Sequence, residues 1–290
     1  MKKLFLAIAV PCLLSAQAAA HVEQSALVLR ARAVGGAFVS RADDPSTIFV
    51  NPAGMASSEL LAMYVEYGEP ARARAGNESR LALVAGMGKM HFGLGWYRFG
   101  GADGASGNLF VAGAARKLIE GTPGSFLSIG VNASVGGIST GSPCCGTQST
   151  SWSKLTGDVG LIVRPLPVIS FAYAIGNALN EHLDVPGDDD RWSRIQRWGV
   201  SYFWEERIGL SLEEDFYSGG TSFHYGFSFR TAVPIELMAG FSDGDTTGGI
   251  RWLGRRFRAA VAFSSDGERG TAWAGSCEIA YRQDEKEGSQ

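Results

Sequence analysis

The chain has 290 residues, of which 45% are apolar and 19% charged, with a formal charge of −3 and 39 glycines. Glycine is nearly twice its usual share of about 7% and charge falls below the usual ~25%, which excludes a disordered polyelectrolyte. A mildly acidic chain without a basic patch is not composed like a nucleic-acid binder, and glycine combined with aromatic residues points to all-β structure rich in turns.

At the N-terminus, Lys2 and Lys3 precede the apolar run Leu4 to Leu14, and small residues follow through Ala20. This is the layout of a secretory signal peptide, with cleavage expected after Ala20. A membrane anchor is the competing reading, but a run interrupted by Pro11 is too short for about 30 Å of hydrocarbon. Cys12 follows Pro11, where a lipoprotein would have a small residue. Removal of residues 1–20 takes two lysines and leaves an exported chain of charge −5.

Residues 21–58 do not alternate cleanly, and they contain the most distinctive run in the chain, Gly36, Ala37, Phe38 through Asp43, Asp44, Pro45 to Asn51, Pro52, Ala53, Gly54. Gly35 and Gly36 allow positive φ or close backbone approach. Asp43 and Asp44 stand where carboxylates cap a turn or short helix that begins at Pro45. Asn51 and Pro52 break the chain ahead of the next segment.

From there the sequence alternates with a period of two, the signature of strands. Phe223, Tyr225, Phe227 and Phe229 alternate with Ser222, His224, Gly226, Ser228 and Arg230, and Leu127, Ile129, Val131, Ala133 and Val135 alternate with small or polar residues. Similar patterns occupy 81–87, 92–96, 198–204, 235–241 and 257–263. About fourteen such segments fit between Leu60 and Arg282, separated by turn-rich stretches such as 103–108, 243–249 and 265–270, the proportions of an up-and-down membrane barrel. The longest connections run over 139–151 and 177–196, the second carrying Asp188, Asp189 and Asp190. A soluble β-sandwich also alternates. Here the small-residue face carries Arg80, Asp158, Arg164, Glu213, His224, Arg230, Glu236, Arg251 and Arg258, and unpaired charges in that number would be prohibitive in a dry core. In a barrel lumen they can meet water or one another, while lipid accounts for the aromatic face. The expected fold is therefore an all-β, transmembrane outer-membrane β-barrel of about 14 antiparallel strands with a small N-terminal hatch, divided as 1–20 signal peptide, 21–58 hatch, 59–282 barrel and 283–290 polar tail. Asn132, His224, Arg230, Arg251 and Arg258 are the candidate lumen-lining residues.

The Gly-Ala-aromatic, Ala-Asp-Asp and Asn-Pro-Ala succession over residues 36–53 resembles the N-terminal hatch of the outer-membrane long-chain fatty acid transporter (FadL) family and of PorV/PorQ-type barrels. The run 158–165, 168–175 and then Gly176, Asn177 resembles the PorV-type succession of strand, proline turn, strand and Gly-Asn. The FadL resemblance implies passage of small hydrophobic molecules, and the PorV resemblance a non-enzymatic shuttle or docking component of a protein secretion system. Either implies a monomeric barrel whose partners are outer-membrane lipids and either a hydrophobic ligand or secretion-system proteins, with no nucleic acid. The hatch either controls passage or only fills the lumen. The outer connections are short and the longest is acidic, unlike the long apolar outer loops of the larger fatty acid transporters.

Chemistry-bearing patterns are absent. His21, His91, His182 and His224 show no metal-binding or catalytic spacing, and no phosphate loop or nucleophile elbow occurs. No catalytic residue, metal site or cofactor is expected. The acidic runs Glu213 to Asp215 and Asp188 to Asp190 read as solvated strand ends and loops. Cys144, Cys145 and Cys277 remain after signal removal, an odd number that cannot pair completely within one chain.

Overall fold

The computed structural model describes residues 28–69, 75–101, 106–140, 150–180, 194–217, 220–242, 244–266 and 270–281. The signal peptide, Cys12, Cys144, Cys145, the acidic run 188–190 and the tail 283–290 lie outside them.

Fourteen antiparallel strands close into one barrel in which each strand pairs with its sequence neighbours. They are β1 (Leu61–Glu69), β2 (Ala75–Met87), β3 (Met90–Gly101), β4 (Ser106–Glu120), β5 (Phe126–Thr140), β6 (Thr150–Leu166), β7 (Ile169–Gly176), β8 (Ile195–Trp204), β9 (Ile208–Tyr217), β10 (Gly220–Arg230), β11 (Ile235–Ser242), β12 (Asp245–Leu253), β13 (Phe257–Asp266) and β14 (Gly270–Tyr281). The seam is β1 on β14, in register from Leu61 opposite Tyr281 to Glu69 opposite Trp273. Closure leaves no free edge, which a sheet in lipid requires because its backbone has no water to bond.

Alternation settles which residues face out. On β1, Leu61, Met63, Val65 and Tyr67 are exposed while Ala62, Tyr64 and Glu66 are buried. Phe227 and Phe229 on β10 point out while Ser222, His224 and Ser228 point in. Exposed Trp204, Trp252 and Phe257 lie toward one end of the barrel, and Trp198 and Trp273 toward the other, as the aromatic girdles of a membrane barrel do. Among the described residues no helix is long and apolar enough to cross a membrane; the crossing is made by strands.

The connections after even-numbered strands are short, for example Gly88–Lys89, Pro167–Val168 and Gly254–Arg256. The two long connections, after β5 and β7, lie at the opposite end. In outer-membrane barrels the short turns face the periplasm. Some turns are tighter than the sequence suggests. The stretch 243–249 reads as a turn, yet β12 starts at Asp245 and includes Gly248 and Gly249. The reason lies inside the barrel: a Cβ on Gly249 would come 2.8 Å from the Cβ of Ala33, so the strand has glycine where another segment lies against it.

That segment is the N-terminal plug, which the strands surround. It comprises a one-turn helix α1 (Leu29–Ala33) and two 3-10 turns, Pro45–Phe49 and Pro52–Ser57. Asp44 caps the first 3-10 turn by accepting from Ser46 N at 3.0 Å, and Asn51 caps the second by accepting from Ala53 N at 3.1 Å. Each cap is followed by proline at the first helical position, whose missing N–H costs nothing there. Asn51 and Pro52 therefore start a turn rather than simply breaking the chain. Val28, Leu29, Val34, Phe38 and Val39 pack on Ile162, Met238 and small residues of the wall. Ile48 and Met55 pack on Tyr64, Val84 and Val111. At about 1.5–3 kcal/mol for each large apolar side chain removed from water, these contacts hold the plug as a second core inside the barrel.

Candidate functional site

The lumen is a junction between the plug and the wall, and its chemistry is that of bonded charges. Val28, the residue before α1, offers no side-chain cap. Glu66 on β1 takes that role by accepting from Leu29 N at 2.9 Å. The same carboxylate accepts from Arg80 at 2.6 Å and from the Tyr64 hydroxyl. Arg80 also reaches Glu78 at 3.1 Å, and Glu78 in turn meets Arg32 of the plug at 3.3 Å. A chain of alternating charge thus ties α1 to β1 and β2.

Across the lumen, Glu213 on β9 accepts the amides of Phe38 and Val39. Arg41 donates to Ser228 at 2.7 Å and to Glu236 at 3.2 Å. His224 Nδ1 lies 2.9 Å from the carbonyl oxygen of Gly35 and 2.7 Å from Ser242 Oγ, while its Nε2 faces Asp215 at 3.3 Å. Asn132 donates to the carbonyl of Ile48 at 2.9 Å. Gly35 and Gly36 have φ of +66° and +95°, the conformation that lets the backbone turn against β10 and β11 beside His224.

The motif acids depart from expectation in their partners. From their place in the motif, Asp43 and Asp44 are expected to cap the plug and to pair with lumen arginines such as Arg230, Arg251 or Arg258. Of these only Arg251 comes within reach, 4.0 Å from Asp44, and the closest partner of both acids is the plug's own Arg30, at 2.5 and 2.6 Å. Arg258 engages Glu278 at 2.6 Å and Glu59 at 3.3 Å, and Arg230 is exposed at the short-turn end. An arginine 14 residues away within the same folded loop outcompetes wall groups fixed by the strand register. The two acids also differ: the Asp44 side chain is 1% exposed and that of Asp43 54%. The protein packed around its inner half opposes ionisation of Asp43, but Arg30 and Arg251 outweigh it and hold the carboxyl well below the usual carboxylate range. Burial alone would weaken the charge on Arg30, yet Asp43 and Asp44 more than compensate and raise its pKa well above the ordinary value.

A second correction concerns Glu213 to Asp215. Glu213 and Asp215 are buried on the lumen face, not solvated at a strand end. Their spacing of two, with Leu212 and Phe216 outward, is the signal that identifies them. Arg30, Arg32, Arg41, Glu66 and Glu78 were not legible as site residues, because each acquires its role only from a partner far away in sequence. Of the motif, Ala37, Pro52 and Ala53 are buried as packing, and Gly54 admits the carbonyl of Ala42, which would lie 2.5 Å from an added Cβ. Among the described residues no group of histidine, cysteine, aspartate and glutamate could hold a metal ion.

Below the plug, at the short-turn end, the lumen widens into a vestibule of about 1380 Å³ lined by residues of the β4–β5 and β12–β13 turns, by Asp43 and Ser57 of the plug, and by Arg164, Arg230 and Arg251.

No protein-family model and no curated protein sequence matches the chain. Solved structures match in fold. The chain superposes on the Ralstonia pickettii toluene transporter TbuX with a TM-score of 0.62 at 12% identity, covering 88% of this chain and 98% of that one. It superposes on a Pseudomonas aeruginosa FadL homologue with a TM-score of 0.59 at 11% identity, with 88% and 98% covered. For the Pseudomonas putida toluene transporter TodX the TM-score is 0.52 at 11% identity, with 86% and 96% covered. At such identities the likeness establishes the shared barrel architecture.

Proposed function

We propose that this chain is a non-catalytic outer-membrane barrel that passes small hydrophobic molecules across the outer membrane, exported with residues 1–20 removed and acting as a monomer, with residues 21–58 as the plug that must yield for passage. The observation that carries the reading is a closed fourteen-stranded barrel whose lumen is filled by its own N-terminal segment, over an architecture shared along 98% of a toluene transporter. Passage requires the plug's apolar contacts with the wall to part, because the strands close on one another around it. Polar clamps at Glu213, Glu66 and His224 hold the plug by hydrogen bonds that water can replace when the plug yields.

A deletion strain tests the reading. Loss of growth on, or uptake of, a hydrophobic carbon source with normal protein secretion is the expected result. Normal uptake accompanied by missing surface proteins would overturn it in favour of a docking component of a secretion system.

A further inference from the structure

The vestibule has a charge balance that hydrophobic passage does not call for. Four carboxylates line it, and three are already bonded to arginine: Asp43 to Arg30, Glu59 to Arg258, and Glu278 to both Arg251 and Arg258. Seven basic side chains line the same space. Of these, Lys117, Arg164, Arg230 and Arg256 have no described carboxylate within ion-pair distance. Arg164 is the best placed. Its guanidinium lies over the rings of Phe126 at 5.5 Å and Phe203 at 5.0 Å, and its buried Nε has no hydrogen-bond partner. Lys117 also lies over the Phe126 ring, at 5.3 Å. Aromatic faces hold these cations in position while leaving their N–H groups for something else.

From this geometry we infer that the vestibule binds a small, water-soluble anion carrying two or more negative charges, of phosphate or polycarboxylate type, that enters at the short-turn end. Arginine forks match the paired oxygens of such groups. A concave space with one sign of charge in excess, walled by a barrel in lipid, concentrates that field. The volume exceeds the ~300–1000 Å³ of ordinary ligand pockets, so the anion is held with part of its hydration, by several cations at once. Arg164 and Arg251 project from the strands to the inside of the barrel, away from lipid, which favours a free solute over a lipid headgroup as the source of the charge. The site goes beyond hydrophobic passage and stands or falls without it.

The test is titration calorimetry with inorganic pyrophosphate on the full mature barrel in phosphatidylcholine nanodiscs at low ionic strength. Saturable binding that weakens with added salt is expected, and the combined substitution Arg164→Gln, Arg230→Gln and Arg256→Gln is expected to weaken it at least tenfold. None of these three arginines holds a carboxylate, so the heat-modifiable gel mobility of the folded barrel is expected to persist. Arg207→Gln, at the same end but outside the vestibule, serves as the control. No saturable binding to the parent overturns the site, as does a triple variant that binds like the Arg207 control. Saturable uptake of phosphatidylglycerol added to the same nanodiscs, with no binding of pyrophosphate, overturns the assignment to a free solute.

Discussion

Glu213 and Val39 are 174 positions apart in sequence and 2.6 Å apart in space, where the carboxylate Oε2 accepts the plug amide. The same oxygen accepts from Phe38 N at 2.7 Å. One wall residue therefore supplies the acceptor for two consecutive buried amides at the point where the plug turns across the lumen.

Removing that acceptor should loosen the plug while leaving the barrel closed. Glu213→Ala strands two buried donors, at about 1–3 kcal/mol each before water enters. Since about 1.4 kcal/mol is a factor of ten, hydrogen exchange at Phe38 and Val39 should accelerate by tenfold or more, with amides of β4 and β5 unchanged. Glu213→Gln keeps one acceptor oxygen and should fall between the two. Parent-like exchange in the alanine variant would mean that Glu213 does not anchor the plug.

The motif acids should differ in consequence although they are neighbours in sequence. Asn at position 44 can still cap the 3-10 turn, so Asp44→Asn isolates the charge. It leaves buried Arg30 short of one partner, and breaking a buried pair costs about 3–5 kcal/mol. Asp43→Asn removes a half-exposed carboxylate, which water already screens, for about 1 kcal/mol or less. Protection of the plug from trypsin should thus fall sharply for the first and little for the second, while the barrel keeps its heat-modifiable mobility. The pH dependence has a definite sign. The Asp43 carboxyl is held below its ordinary value in the folded chain, so its contribution is complete at neutral pH and declines as pH falls below about 4, where the unfolded carboxyl begins to protonate. Asp43→Asn should flatten that part of the acid profile relative to the parent. Equal losses from the two substitutions, or identical acid profiles, would contradict this division of roles.

The barrel was legible in the sequence because each strand declares its two faces locally. Phe223 to Phe229 alternate whether or not the neighbouring strands are known, and turns such as Gly88–Lys89 punctuate them. The cap at Asp44 was legible, since side chain, turn and proline lie within three residues, whereas Asn51 before Pro52 reads only as a break in the chain. Partner choice was not legible. Arg30 precedes Asp44 by fourteen residues with no periodic relation between them, and Glu66 gives no sign in β1 that it will bond the start of α1. The position of the vestibule was equally hidden, because Lys117, Arg164 and Arg256 meet only when strands from opposite parts of the chain reach the same end of the barrel.

Glycines on the inner wall read in the sequence as a barrel's small lining, but several are contact points with the plug. A Cβ on Gly160 of β6 would collide with Asn51 Oδ1, the oxygen that caps Ala53 N. A Cβ on Gly36 would lie 2.5 Å from His224 Nδ1, at a φ of +95° that side chains avoid at a cost of about 1–3 kcal/mol. Gly275 of β14 has nothing within 4 Å of an added Cβ. Gly160→Ala should displace the second 3-10 turn, with loss of its cap adding about 1 kcal/mol, and Gly36→Ala should free the segment beside β10. Because the wall strands keep their own hydrogen bonds, both barrels should still assemble. Their plugs should become open to trypsin at Arg30, Arg32 and Arg41, which are buried in the parent, whereas Gly275→Ala should remain as resistant as the parent. If Gly160→Ala and Gly275→Ala are cut at the same rate, close packing of the wall glycines does not hold the plug in place.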